Sequence, residues 1–299
     1  MIDLTGPLGA AADVTGSIDR PVISGAVATK ALRVQSSLTG SDVREVEALG
    51  SFADSRLSLA HFSGTTTGSG GASGGTISGS GTIDFSDLAT HGVGLDLRIA
   101  ASNALLINRD DMAATITGPL RLISNGIGGT IAGRVHIDKA RWTLGRASIA
   151  EQLPVITTTE TNLRADIAPP RAPFRPWTYL IDAAGADRID VHGMGLESEW
   201  GADVRLRGDT SNPQIFGSAD LVRGGYEFAG KRFDLTRGKI RFLGEVPVDP
   251  RLDIVAEGDA NGVSAKIAIS GSALKPQIAF SSVPALPEEE LLSRMLFGS

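Results

Sequence analysis

Apolar residues at every second position dominate the last third of this chain. The clearest pairs are Tyr226 with Phe228, Phe233 with Leu235, and Ile240 with Phe242. Side chains two residues apart share one face of a β-strand, so each pair predicts a strand with one apolar face. Gly230 and Gly238 separate the pairs and predict the turns. The pattern therefore predicts a meander of half-buried strands.

The same period of two extends toward the start of the chain. The most regular strand has apolar residues at Val93, Leu95, Leu97 and Ile99. Such alternation is typical of an antiparallel sheet that is wetted on one side. A Gly-x-x-x-x-Pro spacing recurs at Gly16, Gly208 and Gly271, where glycine permits a turn and proline begins the next strand at its edge. These observations favour an all-β fold.

Three segments interrupt the alternation. Residues 42–49 are predicted to be a short helical or irregular piece. Residues 64–81 are almost all small, and we interpret them as a connection between strands, because their glycines do not match the G-x-G-x-x-G spacing of a nucleotide loop. The prolines of residues 151–178 predict a linker or long loop. We therefore expect a β-repeat segment at 1–150 and a second β domain at 179–299.

Composition and residue spacing exclude several functions. The net charge is −6 and no basic run exists, so we predict no nucleic-acid partner. The chain has no cysteine, which excludes disulfides and thiolate metal sites. Its histidines lack metal-ligand spacing and no G-x-S-x-G motif is present. We predict no enzymatic activity, no metal and no cofactor.

The sequence contains no run of 18 or more apolar residues, and residues 1–30 lack the basic and apolar blocks of a signal peptide. We therefore expect export or anchoring to depend on something outside this sequence.

A helix is predicted at the end of the chain. Three glutamates, Glu288 to Glu290, begin it, and Arg294 lies in its last turn, which suits the helix dipole. One apolar stripe is formed by Leu291, Leu292, Met295 and Leu296. This stripe either covers an open end of the sheet or docks on a partner.

Several motifs resemble a known family. They include Asn212-Pro-Gln-Ile-Phe-Gly-Ser, Arg223-Gly-Gly-Tyr-Glu-Phe-Ala-Gly-Lys-Arg-Phe-Asp-Leu, Asp249-Pro-Arg-Leu-Asp-Ile-Val-Ala and Leu286-Pro-Glu-Glu-Glu-Leu-Leu-Ser-Arg-Met-Leu-Phe-Gly. In this order they are similar to the conserved C-terminal domain of the TamB family, the inner-membrane subunits of the bacterial translocation and assembly module. The resemblance runs from Tyr179 onward, whereas residues 1–146 match only in the style of their repeats.

The resemblance implies a long, curved β half-pipe (β-taco) with an apolar interior, as in TamB and its AsmA-like relatives. It also implies a place in the periplasm, an inner-membrane anchor in the full-length family, and an outer-membrane barrel partner of the BamA type, like TamA. Because this sequence lacks such an anchor and stops just after Leu-Phe-Gly, we expect it to be a C-terminal portion or a short relative.

The expected function is a hydrophobic groove for phospholipid, for nascent outer-membrane protein strands, or for both. About 20 strands at ~4.8 Å spacing would make a trough on the order of 100 Å long. The residues expected to line it are Tyr226, Phe228, Phe233, Leu235, Ile240, Phe242, Leu252, Ile254, Ile267, Ile269, Ile278 and Phe280. Two alternatives are a β-solenoid structural or adhesin-like surface protein and a glycan-active enzyme on a β scaffold.

Overall fold

A computed structural model describes residues 2–297 except 18–19, 38, 69–72, 88–90, 145–174 and 260. The first half contains β1 (Ile2–Thr5), β2 (Gly9–Ser17), β3 (Arg20–Ser36), β4 (Asp42–Ala53), β5 (Arg56–Thr67), β6 (Ser73–Asp84), β7 (Gly94–Asn108), β8 (Met112–Asn125) and β9 (Gly129–Thr143). The second half contains β10 (Thr178–Gly193), β11 (Leu196–Gly208), β12 (Pro213–Phe228), β13 (Lys231–Leu243), β14 (Arg251–Asp259), β15 (Ser264–Ser272), β16 (Lys275–Val283) and α1 (Glu288–Phe297).

All sixteen strands belong to one curved, open sheet that is not closed into a barrel. From β3 to β16 each strand pairs with the next one in the chain, while β1 and β2 both pair with β3. Every pairing is antiparallel except that of β9 with β10. The predicted all-β half-pipe with a short C-terminal helix is therefore confirmed.

The parallel pair lies where the chain was predicted to carry a linker. Residues 151–174 of that linker are outside the described residues, and β10 begins at Thr178. Thr178 pairs with Thr130 and His192 pairs with Thr143, and the register shifts by one residue between Ala184 and Ile189. A parallel pair cannot be joined by a tight hairpin turn and requires a crossover connection between its two strands. The two predicted β segments are thus joined in one sheet by the pairing of β9 with β10.

Bulges allow the bent strands to keep one apolar face. In β13, Leu235 pairs with Ala256 and Arg237 pairs with Val255, so Thr236 is an extra residue. One extra residue reverses which side chains point to a given face. Phe233 and Leu235 before the bulge therefore share a face with Ile240 and Phe242 after it. The prediction of a turn at Gly238 was wrong, because this glycine lies inside β13, whereas Gly230 is indeed in the turn between β12 and β13.

A similar bulge explains why residues 42–49 were wrongly predicted to be helical or irregular. They belong to β4, and the register shifts by one residue between Arg44 and Glu47, where Glu45 has a φ of 51°. Val43 and Val46 are both buried because the extra residue brings them to the same face. Their spacing of three imitates the period of a helix.

The small residues of 64–81 lie mainly in strands, so the prediction of a connection there was wrong for most of the segment. β5 continues to Thr67 and β6 begins at Ser73. Large neighbours fill the space above the glycines: a Cβ on Gly79 would lie 2.6 Å from Cζ of Phe62. The lack of side chains therefore makes room for side chains from adjacent strands.

We call the face that carries Phe233, Ile240 and Ile254 the inner face. In its row that crosses β11, β12 and β13, Gly217 lies between Val204 and Phe242. Gly217 has a φ of +119°, and a Cβ there would meet the carbonyl oxygen of Asp203. Only glycine adopts this backbone conformation without strain, so the position requires it.

We predict that Gly217→Ala lowers the free energy of unfolding by about 2 kcal/mol or more, because alanine is strained at this φ. Denaturant unfolding followed by circular dichroism measures the change. Gly9→Ala is the matched control, since the nearest atom to its Cβ is 3.5 Å away and we expect a change within ~0.5 kcal/mol. Equal stability of the two variants would contradict this reasoning.

Candidate functional site

The twelve residues predicted to line a groove all project from the inner face. Cross-strand pairing connects them in rows, because directly opposite residues point to the same side of a sheet. One row contains Gly238, Ile254, Ile269 and Ile278. A second contains Leu235, Ala256, Ile267 and Phe280. A third contains Ile240 and Leu252, and a fourth contains Tyr226 and Phe233. The remaining two, Phe228 and Phe242, lie two residues from Tyr226 and Ile240 within their strands.

The sheet curls around this face near its N-terminal edge. Inner-face side chains of β4 and β5 are buried, among them Val46, Leu57 and Phe62. The amide of Asn108 at the end of β7 donates a hydrogen bond of 2.8 Å to the carbonyl of Thr39 in the turn between β3 and β4. This hydrogen bond connects the end of β7 to the β3–β4 turn across the ends of β5 and β6. The inner face is therefore the concave side at this end of the sheet.

Helix α1 divides the C-terminal part of the inner face into two segments. Phe233, Ala256, Ala265 and Ile267 form a buried core with α1, and we call this the covered segment. Tyr226, Phe228, Leu235, Ile269 and Phe280 are partly buried around its edge. The open segment consists of Ile240, Phe242, Leu252, Ile254 and Ile278, which are half-buried or exposed and lie outside that core.

The apolar stripe of α1 is turned mainly toward the sheet. Leu291 and Met295 are 0% and 1% exposed and belong to the buried core. Leu292 is half-buried and Leu296 is 47% exposed. Of the two interpretations of this stripe, covering the sheet accounts for Leu291 and Met295, which are not accessible to a partner in this arrangement. Leu296 remains on the surface.

Two polar contacts hold the C-terminal end of α1. The carbonyl oxygen of Arg294 accepts hydrogen bonds from Nζ of Lys231 at 2.8 Å and from Nδ2 of Asn261 at 3.3 Å. A cation at this end suits the helix dipole. Burial of Leu291 and Met295 contributes about 1.5–3 kcal/mol for each side chain. A ten-residue helix is marginal in water by itself, so the helical structure of α1 depends on its docking.

Trp200 is an inner-face residue that the sequence analysis missed. It pairs with Leu221, is 3% exposed, and its Nε1 donates to Oγ of Ser198 at 2.9 Å. Its ring lies over Gly238, whose Cβ would be 2.8 Å from the indole. Trp200 is four residues before Val204, so extending the period of two would have found it.

The outer face carries charged pairs. Arg121 donates two hydrogen bonds of 3.0 and 2.8 Å to Asp96. In the same way, Arg207 contacts Asp182 and Lys239 contacts Asp220. These hydrogen bonds lower the pKa of each of the three carboxyl groups below its ordinary value. Hydrogen bonds from Ser86 and then from Arg56 lower the pKa of Asp84 to about 2. These four charged pairs therefore lie on the face opposite the apolar rows.

Comparison with known proteins agrees with this architecture. A family profile described as the TamB C-terminal domain matches residues 65–299. The chain belongs to the TamB family. A "Translocation and assembly module subunit TamB" from Haemophilus influenzae is 25% identical over 115 residues, which cover 37% of this chain and 9% of that protein.

The TamB match includes both segments of the groove surface and α1. Within the described ranges, no group of three or more His, Cys, Asp or Glu residues is placed to hold a metal ion. Among those residues, moreover, no helix has the length and apolar character needed to cross a membrane.

We predict that Asp84→Asn destabilises the TamB domain at neutral pH. The pKa of Asp84 in the folded chain is about 2, below the ordinary ~3.9 of an aspartate. Its contribution is thus present above pH ~4 and is lost as the pH falls toward ~2. Denaturant unfolding across this range should show the difference from wild type disappearing at the acidic end. Asp13→Asn on the edge strand β2 is the control, and a difference independent of pH would contradict the assignment.

We predict that Leu291→Ala loosens α1, because truncating a buried leucine typically costs about 2–5 kcal/mol. Tryptic cleavage after Arg294, followed by mass spectrometry, should become at least about tenfold faster. Leu296→Ala changes an exposed residue of the same helix and should leave the rate unchanged. Similar rates in both variants would show that α1 is not held through Leu291.

Proposed function

We propose that the inner face is a groove that carries phospholipid acyl chains within the bacterial cell envelope. The observation that carries this proposal is the open segment, where Ile240, Phe242 and Ile254 lie in continuous apolar rows without being part of the α1 core. Contiguous apolar surface that is left accessible on a folded chain marks a binding site. A phospholipid tail is the apolar guest that a long, narrow row of side chains fits.

The energetic benefit of such a groove is large. Exposing about 15 methylenes of an acyl chain to water costs roughly 12 kcal/mol at ~0.8 kcal/mol each. A continuous apolar surface removes most of that cost and requires no reacting side chain, so we propose a carrier rather than an enzyme. The fifteen strands of the main pairing path at ~4.8 Å spacing span about 70 Å. This is shorter than the trough of about 100 Å expected from the sequence.

The proposals for location and partner rest on the family relationship. The Haemophilus influenzae relative is named as a subunit of a translocation and assembly module. We propose that this chain acts in the periplasm of the cell envelope and that it works with an outer-membrane barrel protein of the BamA type, like TamA. The aligned region is a small part of that relative, so these are proposals for the domain within a larger assembly.

A second candidate function rests on the edge strand β16. Among the described strands its one partner is β15, and most of its residues are exposed, including Val283 at 75%. An unpaired strand edge can accept an additional strand through backbone hydrogen bonds. A nascent outer-membrane protein strand is the corresponding guest.

We predict that Phe242→Glu lowers the amount of phospholipid that remains bound to the purified chain by about tenfold or more, because the aromatic contact is lost and a charge faces the acyl chain. Native mass spectrometry after incubation with phospholipid vesicles measures the bound lipid. Arg241→Glu alters the neighbouring, exposed residue on the outer face and should retain lipid.

Equal loss in both variants, or no bound lipid in wild type, would contradict the carrier function. Capture of an unfolded outer-membrane polypeptide by a photo-crosslinker at Val283, in the absence of bound lipid, would favour strand addition instead.

A further inference from the structure

We propose that α1 is a displaceable plug and that the covered segment beneath it is a second acyl-chain site, with Lys231 placed to receive the phosphate of an anionic phospholipid. This inference rests on the proposed carrier function, because it assigns a further part of the same inner face to lipid.

The covered and open segments are one surface. Leu235 and Ala256 in the row beneath α1 are directly followed on the inner face by Gly238 and Ile254 in the neighbouring open row. No polar side chain intervenes between Ile254 and Ala256 on this face of β14, because Val255 points to the other side. A guest that moves along the open segment therefore reaches the covered segment unless α1 blocks it.

Helix α1 occupies the covered segment with two flexible side chains, the γ-branched Leu291 and the unbranched Met295. Leu291 and Met295 are one helical turn apart and fill the space above Phe233 and Ile267. Glu290 and Arg294 pair with each other at 2.9 Å. The α1 side chains that are buried against the sheet thus form a short apolar column, which the methylenes of an acyl chain can replace.

The polar contacts that hold α1 are few and have a second use. The carbonyl oxygen of Arg294 accepts hydrogen bonds from Lys231 and Asn261. Lys231 lies at the turn between β12 and β13, and Asn261 lies at the turn between β14 and β15. Lys231 lies two residues from Phe233 on the same face of β13. When α1 leaves, this ammonium group loses its acceptor at the end of an apolar column. A phosphate oxygen is the anionic acceptor that replaces it, since ammonium groups bind phosphate as point charges.

Photoreactive lipids test this proposal on the full chain without a label on the protein. The probes are phosphatidylglycerol and phosphatidylcholine with a diazirine in the acyl chain, presented in vesicles. Trypsin separates the two segments, since Phe233–Arg237 and Phe242–Arg251 are different peptides. In wild type we expect labelling of the Phe242 peptide and little labelling of the Phe233 peptide.

Met295→Glu places a charge in the buried contact and should release α1, raising the labelling of the Phe233 peptide about tenfold. Leu296→Glu makes the same change at an exposed position of α1 and should leave labelling as in wild type. With Met295→Glu, phosphatidylglycerol should label the Phe233 peptide more strongly than phosphatidylcholine, and adding Lys231→Met should abolish this preference.

Each outcome decides a separate point. Labelling of the Phe242 peptide together with an unlabelled Phe233 peptide in Met295→Glu would overturn the plug and leave the carrier function standing. Strong labelling of the Phe233 peptide in wild type would overturn the plug as well. Equal labelling by the two lipids in Met295→Glu would overturn the role of Lys231. Labelling of neither peptide in any variant would overturn the carrier function itself, and unchanged labelling of the Phe242 peptide shows that Met295→Glu remains folded.

Discussion

Strands that bend around a groove must keep their apolar side chains on the inside, and a strict period of two does not allow this through every bend. One-residue bulges solve the problem, because an extra residue moves all following side chains to the opposite face. In β13 the bulge at Thr236 aligns Phe233 and Leu235 with Ile240 and Phe242. The continuity of the apolar surface, and hence any carrier function, depends on these local shifts of register.

An apolar surface that can hold a lipid tail can also hold part of its own chain. Helix α1 uses that property at the C-terminal end, where Leu291 and Met295 pack on Phe233 and Ile267. Its three glutamates and Leu296 are exposed, and the hydrogen bonds from Lys231 and Asn261 converge on one carbonyl. The covered segment therefore has the same chemistry as the open one and differs in what occupies it.

The motifs that resemble the TamB family cover a shorter part of the chain than the family match and the continuous sheet do. Motifs resembling the family begin near Tyr179, whereas the family match begins at residue 65. The cross-strand rows of the inner face continue through the strands before Tyr179, where large apolar residues pair with small ones. Ile99, for example, pairs with Gly79 on one side and with Leu120 on the other. A curved sheet requires a pattern of residue sizes rather than particular residues, so the fold continues where the motifs are weak.

The sequence by itself determined the all-β class and the apolar faces of the regularly alternating strands, because alternation follows directly from the geometry of an extended chain. It placed all twelve expected groove residues on one face, and it located α1. Tertiary structure decided what alternation cannot express: the strand conformation of residues 42–49, the position of Gly238 within β13, the burial of Trp200 and the parallel pairing of β9 with β10. It also decided that α1 covers Phe233 and Ile267 and leaves Phe242 open. These features depend on contacts between residues far apart in the chain, and a local period carries no information about which distant surface a helix or strand will meet.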